Sequence, residues 1–233
     1  MTAAPNTVRY FALIPAAGVG ARMEAGSPKQ YLPIAGKPML RHALDAFLAS
    51  PLIAHTYVVV SAEDSVIDTV VPEQGVTVLR CGGATRMETI LNGLQAVHGS
   101  IGAHDQVLVH DAARPGLTPA LIEKLIGEVG DHPAGGLLAL PVVDTVKRTG
   151  PDGLSAQTVP RDHLWLAQTP QMFSYALLYQ ALSEAPDPQA ITDDASAVEA
   201  LGLAPRLVEG HPRNLKVTLP RDIYTAELYL ANP

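Results

Sequence analysis

Short apolar runs recur along the first two-thirds of the chain, at Tyr10–Pro15, Thr56–Ser61, Val76–Arg80, Gln106–His110 and Gly136–Val142. Each is rich in Val, Leu and Ile, and none alternates strictly. That is the pattern of parallel strands buried on both faces. Between them the apolar spacing changes to the helical period. Pro38 opens one helix at a first-turn position, with Leu40, Ala43, Leu44 and Phe47 on one face. Thr85-Arg-Met-Glu88 reads as a capping box ahead of Ile90, Leu91, Leu94 and Val97. Thr118 to Val129 is a third helical pattern. Alternating strands and helices predict right-handed βαβ units in an α/β fold, a doubly wound, mostly parallel sheet.

The rhythm breaks after Pro141. Asp144–Arg148 and Ser155–Val159 are strand-like and flank Gly150-Pro-Asp-Gly153, a strong turn signal. They predict an inserted β-hairpin arm over about residues 142–165, or else an ordinary edge ribbon of the sheet. A lone hairpin is marginally stable in water, so an arm must pack on something, such as a second subunit. Beyond it the pattern predicts helices at Ser174–Ser183, Asp193–Leu201 and Pro220–Leu230, with a strand at Arg206–Glu209. No repeat and no polar linker divides the chain, so residues 1–233 are expected to form a single domain.

Composition narrows the function classes. Hydrophobic residues make up 47% and charged residues 17%, which fits a well-buried globule. The formal net charge of −7 argues against nucleic acid as a partner, because a phosphate backbone calls for a basic surface. One cysteine, Cys81, rules out an internal disulfide. No apolar run approaches the about 20 residues of a membrane span, and residues 1–8 lack the pattern of a secretory signal. A cytoplasmic protein with no membrane partner is the expectation.

In doubly wound sheets ligands bind beyond the carboxyl ends of the strands, so the residues that follow each strand carry the chemistry. After the first come Ala16, Ala17, Gly18, Gly20, Arg22 and, further on, Lys29. Small residues let a ligand approach the backbone closely. Their N–H groups can form an anion nest, while Arg supplies a fork and Lys a point charge. The plainer reading is a surface turn with two solvated cations. No Gly-Lys-Ser/Thr closes the loop and Met23 stands where a third dinucleotide glycine would, so neither a P-loop nor a dinucleotide fingerprint is present. After the third strand, Gly82-Gly83 leads to Thr85, Arg86 and Thr89 at a helix start, with Thr89 open to either a ligand or a packing role. After the fourth, Asp111 can hold a divalent cation, accept a substrate hydroxyl or cap a turn, and Arg114 can bind an anion or pair with Asp111. Eight scattered histidines show no zinc spacing.

Seven segments in order carry a resemblance: Pro15-Ala-Ala-Gly-Val-Gly-Ala-Arg-Met23, Pro28-Lys-Gln-Tyr-Leu32, His110-Asp-Ala-Ala-Arg-Pro115, Asp144-Thr-Val-Lys147, Thr169-Pro-Gln-Met-Phe173, Thr192-Asp-Asp-Ala-Ser196 and Asn214-Leu-Lys-Val-Thr218. Together they resemble the 2-C-methyl-D-erythritol 4-phosphate cytidylyltransferases of the non-mevalonate isoprenoid pathway, over about Phe11 to Leu230. The first segment alone marks the wider nucleotidyltransferase superfamily. The resemblance implies a Rossmann-like nucleotidyltransferase fold and transfer of CMP from CTP to a polyol phosphate. It implies Arg22 and Lys29 as the catalytic pair, and Pro15, Ala16, Ala17, Gly18, Gly20, Gly82, Thr89 and Lys216 around CTP. Asp111, Thr145, Arg161, Thr192 and Lys216 would line the acceptor-phosphate site, with Thr145 and Arg161 reaching it from the arm of a homodimer partner. Mg²⁺ or another divalent cation would bridge the triphosphate oxygens, with Asp111 a candidate metal ligand. Ala84, after the paired glycines, and Pro160, before Arg161, depart from the family pattern, where an acid is usual. A cytidylyltransferase for another polyol phosphate, such as ribitol 5-phosphate, and a non-catalytic CTP sensor are the rival readings.

Overall fold

A computed structural model of the chain describes residues 8–18 and 28–231. Gly20 and Arg22 lie outside the described residues. Seven strands form one sheet: β1 (Tyr10–Pro15), β4 (Ile53–Val59), β5 (Val76–Leu79), β6 (Gln106–Val109), β7 (Gly136–Pro141), β10 (Trp165–Ser174) and β11 (Arg206–Glu209). Their order is β11-β7-β10-β6-β1-β4-β5. Only β10 runs antiparallel to its neighbours. Two short strands, β2 (Pro33–Ile34) and β3 (Lys37–Pro38), pair beside the sheet, and β8 (Val146–Thr149) with β9 (Ser155–Val159) makes the hairpin arm.

The buried strands alternate between two apolar layers, because successive side chains point to opposite faces. Ala12 and Ile14 of β1 join Leu44 and Phe47 of α1 (Met39–Leu48) and Ile122 and Leu125 of α3 (Pro119–Val129). Phe11 and Leu13 join Ile90 and Leu94 of α2 (Arg86–Ala96), Leu178 of α4 (Tyr175–Ser183) and Val198 of α5 (Asp194–Ala200). The sheet is therefore covered on both sides, as a doubly wound fold requires. A third, smaller cluster joins Ile34, Met39 and Val217 to Ala226 of α6 (Pro220–Ala231). Among the described residues no helix is long and apolar enough to cross a membrane.

The expected capping box is present: the Thr85 hydroxyl accepts from the Glu88 N–H at 3.1 Å, and the Glu88 carboxylate accepts from Thr85 N–H at 3.2 Å. Pro38 proves to be the residue just before α1, and β4 begins three residues earlier than the apolar run that announced it. The apolar pattern did not predict β10. Pro170 interrupts it, and a proline inside a strand argues against one. The register with β7 shifts between Ala167 and Gln171, and the Thr169–Pro170 bond at that break is cis. Trp165 heads this strand and is 38% exposed.

From β1 the chain steps outward through β4 and β5, then returns to place β6 on the other side of β1. The carboxyl ends of β1 and β6 thus flank a topological switch point, where such sheets open a crevice.

Candidate active site

A cleft of about 550 Å³ opens at that switch point. Its walls come from the residues after β1 (Pro15 to Gly18), after β5 (Gly83 to Arg86) and after β6 (Asp111 to Ala113). Lys29, Gln30, Thr89, Lys216 and Thr218 complete it. Gln30 is buried and donates to the Ala16 carbonyl at 2.8 Å, which pins the turn at Lys29–Tyr31 onto the post-β1 loop. Lys29 therefore faces the cleft, and its Nζ donates to the Val217 carbonyl at 3.4 Å.

Asp111 is the centre of the charge arrangement. Its carboxylate meets Lys216 Nζ at 2.9 Å, Arg86 Nε at 3.0 Å and Arg114 Nε at 3.5 Å. Burial alone would push this carboxyl up. The charges of Arg86, Lys216 and Arg114 overcome burial and hold it well below the usual carboxylate range. Its backbone is fixed too: Asp111 N–H donates to the Thr169 hydroxyl at 3.0 Å. That hydroxyl bonds His110 Nδ1 at 2.9 Å, and His110 Nε2 lies 3.2 Å from the Arg114 carbonyl. This network suits a neutral imidazole protonated at Nε2. Burial opposes charging it and pushes its pKa down to about 4.

Arg114 takes the second of its two expected roles. It is buried, pairs with Asp111, and donates to the Asn214 carbonyl at 2.8 Å. Arg86 matters more than its sequence context announced. It lines the cleft while its guanidinium bonds both Asp111 and Asp194. A signal was available: a cation in the first turn of a helix opposes the macrodipole and calls for carboxylate partners.

The charged residues on the described walls are Lys29, Arg86, Lys216 and Asp111, a local excess of positive charge on an acidic protein. Such a concentration selects an anionic ligand. Asp111 does not fit the role of metal ligand expected for it. Three cations already occupy its neighbourhood, and a divalent ion brought to the same oxygens would meet their repulsion. Among the described residues no cluster of three His, Cys, Asp or Glu could hold a metal ion.

The other expected site residues divide. Pro15, Ala16, Ala17 and Gly18 are cleft walls. Gly82 stands behind them: a Cβ there would come within 2.3 Å of the Ala17 Cβ, so its small size serves the approach of two loops. Thr89 is a buried wall whose hydroxyl donates to Thr85 O at 2.8 Å and accepts from Gly83 N–H at 3.1 Å, holding the loop in shape. Thr192 is exposed, with its N–H on the Ser196 hydroxyl at 3.1 Å, just before the helix that carries Asp194. Thr145 and Arg161 lie exposed on the arm, neither of them among the cleft walls of their own chain, and Arg161 donates to the Val143 carbonyl.

A family profile described as 2-C-methyl-D-erythritol 4-phosphate cytidylyltransferase matches residues 10–232. The chain belongs to that family. The protein of that name from Ralstonia nicotianae is 53% identical, over 96% of this chain and 92% of its own. The one from Azoarcus sp. (strain BH72) is 50% identical, over 96% and 95%. A crystal structure of a 4-diphosphocytidyl-2C-methyl-D-erythritol synthase superimposes with a TM-score of 0.83 at 44% identity, covering 96% of this chain and 98% of that one. The cytidylyltransferase of Thermus thermophilus gives 0.78 at 32%, covering 97% and 100%.

Proposed function

We propose that the chain transfers CMP from CTP to 2-C-methyl-D-erythritol 4-phosphate, releasing pyrophosphate, at the cleft between the ends of β1 and β6. The observation that carries this reading is the cationic wall of Lys29, Arg86 and Lys216 built around one fixed carboxylate, in a chain of this family. A phosphate oxygen of the acceptor attacks the α-phosphorus of CTP. The bond from that phosphorus to the bridging oxygen of the β-phosphate breaks, and pyrophosphate leaves with the electron pair. Both reactants are anions, so their repulsion is the first barrier. The protein supplies no covalent nucleophile; it positions two phosphates and stabilises the charge that develops between them.

In this reading Lys29 and Arg22 neutralise the reacting phosphates. The backbone of Ala16 to Gly18 receives the nucleotide, and Lys216 sits between nucleotide and acceptor with Asp111 fixing its ammonium. A divalent cation, where needed, enters as part of the triphosphate substrate. The acceptor site is completed by Thr145 and Arg161 from the arm of a second copy. That arrangement is supported by neither residue being among their own chain's cleft walls and by the apolar surface around the arm, where Val143 is 74% and Leu154 69% exposed.

Pyrophosphate release from CTP, ATP, GTP and UTP, each with methylerythritol phosphate and Mg²⁺, tests the reading. CTP alone is expected to turn over. Preference for ribitol 5-phosphate as acceptor, or calorimetric CTP binding without pyrophosphate, would overturn it.

A further inference from the structure

Asp194 is separated from Arg86 by 108 residues, yet its carboxylate faces the guanidinium end-on, with Oδ1 at 3.0 Å from Nη1 and Oδ2 at 2.8 Å from Nη2. Such a two-pronged contact fixes the plane of the fork as well as its place. Asp194 is 1% exposed and is not among the cleft walls, whereas the Arg86 side chain is 28% exposed and is one of them. The buried carboxylate thus acts from behind a cation that faces the ligand space.

Its own position is secured from the sheet. Gln171 of β10 is buried and bonds the residues on either side: its Nε2 donates to Asp193 Oδ2 at 2.8 Å, and its Oε1 accepts from Ala195 N–H at 2.8 Å. Asp193 caps α5 through the Ser196 N–H at 2.9 Å. The chain of contacts runs from β10 through Gln171 to the start of α5, through Asp194 to Arg86, and so into the cleft.

A guanidinium has five N–H donors. Nε is on Asp111, and one donor each from Nη1 and Nη2 is on Asp194, which leaves two. We infer that Asp194 is a positioning residue for the transfer reaction: by gripping Arg86 against Asp111 it sets where the two remaining N–H groups meet the bound substrate. A fold-stabilising role alone explains the arrangement poorly. A buried ion pair is often no better for stability than an apolar pair of the same volume, while a fork held on two sides is preorganised.

The inference rests on substrate occupying this cleft, and the experiment separates the two. Asp194→Asn turns an acceptor into an amide donor facing the fork. With CTP and methylerythritol phosphate, kcat is expected to fall about 10–100-fold, with the CTP KM changing less than about threefold and cooperative unfolding retained. In an Arg86→Ala background the same change is expected to cost nothing further. Parent-like kcat in Asp194→Asn, or an undiminished effect of Asp194→Asn when Arg86 is already absent, would overturn the positioning role. If Asp194→Asn does not fold, the pair Arg86→Gln/Asp194→Asn, which leaves no unpaired charge, carries the test. It is expected to fold and turn over slowly, and parent-like kcat in that pair would overturn the inference. Absence of pyrophosphate from the parent enzyme would instead defeat the proposed function.

Discussion

His110 should make this protein acid-sensitive in a defined window. The imidazole is fully buried, its ring edge-on to Phe47 at 5.5 Å between centroids. It receives the Thr169 hydroxyl and donates to the Arg114 carbonyl. Burial, only partly offset by the charge of Asp111, pushes its pKa down from 6.5 to about 4. Between those values the unfolded chain binds a proton that the folded chain refuses. Stability therefore rises with pH across the window: the neutral ring carries no penalty above about 6.5, and the loss is complete once the pH falls below about 4. The gap corresponds to about 3 kcal/mol. The test is urea unfolding by circular dichroism at steps from pH 7 to pH 4, for the parent and for His110→Asn. The substitution leaves a cavity whose cost does not depend on pH, so it shifts the curve without tilting it. The remaining titrating groups are common to both chains and cancel in the difference. The parent should lose about 3 kcal/mol more than the variant across the window. Parallel stability curves would refute the argument.

Lys29→Ala and Arg22→Ala should each lower kcat by about 10²–10³ with folding retained, as expected for the loss of one preorganised charged donor; near-parent pyrophosphate release by either would contradict its role. Lys216→Ala should mainly raise the KM for methylerythritol phosphate, and a rise confined to the CTP KM would contradict that. Asp111→Asn leaves buried Arg114 without its carboxylate and should cost about 3–5 kcal/mol, lowering the thermal midpoint by about 10 °C. A midpoint unchanged in calorimetry would show that the three cations do not depend on it. If the arm serves a second copy, Lys29→Ala and Arg161→Ala chains unfolded and refolded together should recover about a quarter of parent turnover at limiting acceptor, because half the dimers then contain one complete site. No recovery in the mixture would show that each site takes both residues from one and the same chain.

Local signals were legible where one segment carried the whole message. The parallel strands announced themselves by apolar runs, the Thr85–Glu88 cap by its spacing, and the hairpin by Gly150 to Gly153. The loop before Lys29 pointed to an anion through composition alone. What escaped was whatever depends on contacts between distant segments. β10 is half polar and interrupted by Pro170, because Gln168, Thr169 and Gln171 are buried for hydrogen bonding rather than for apolar packing. Arg86 looked like an ordinary first-turn residue, since its partners lie after β6 and at the start of α5. Asp193 and Asp194 stand side by side at the start of α5, and sequence position does not tell them apart. Only one is the cap; the other turns inward to Arg86.

The placement of Asp111 inside an anion site follows from the same electrostatics. Arg86, Arg114 and Lys216 converge on one point, and without a counter-charge their mutual repulsion would drive the flexible ones toward solvent. One carboxylate attracts all three at once. It reduces the net charge of the pocket by one and exchanges that for fixed geometry. Lys216 is 38% exposed at its side chain and would otherwise sample many rotamers. Tied to Asp111 at 2.9 Å, it keeps its ammonium at the cleft wall before substrate arrives. Catalysis by charge stabilisation depends on donors that need not reorganise when charge develops. A carboxylate that looks misplaced beside two phosphates is therefore what keeps the cations ready for them.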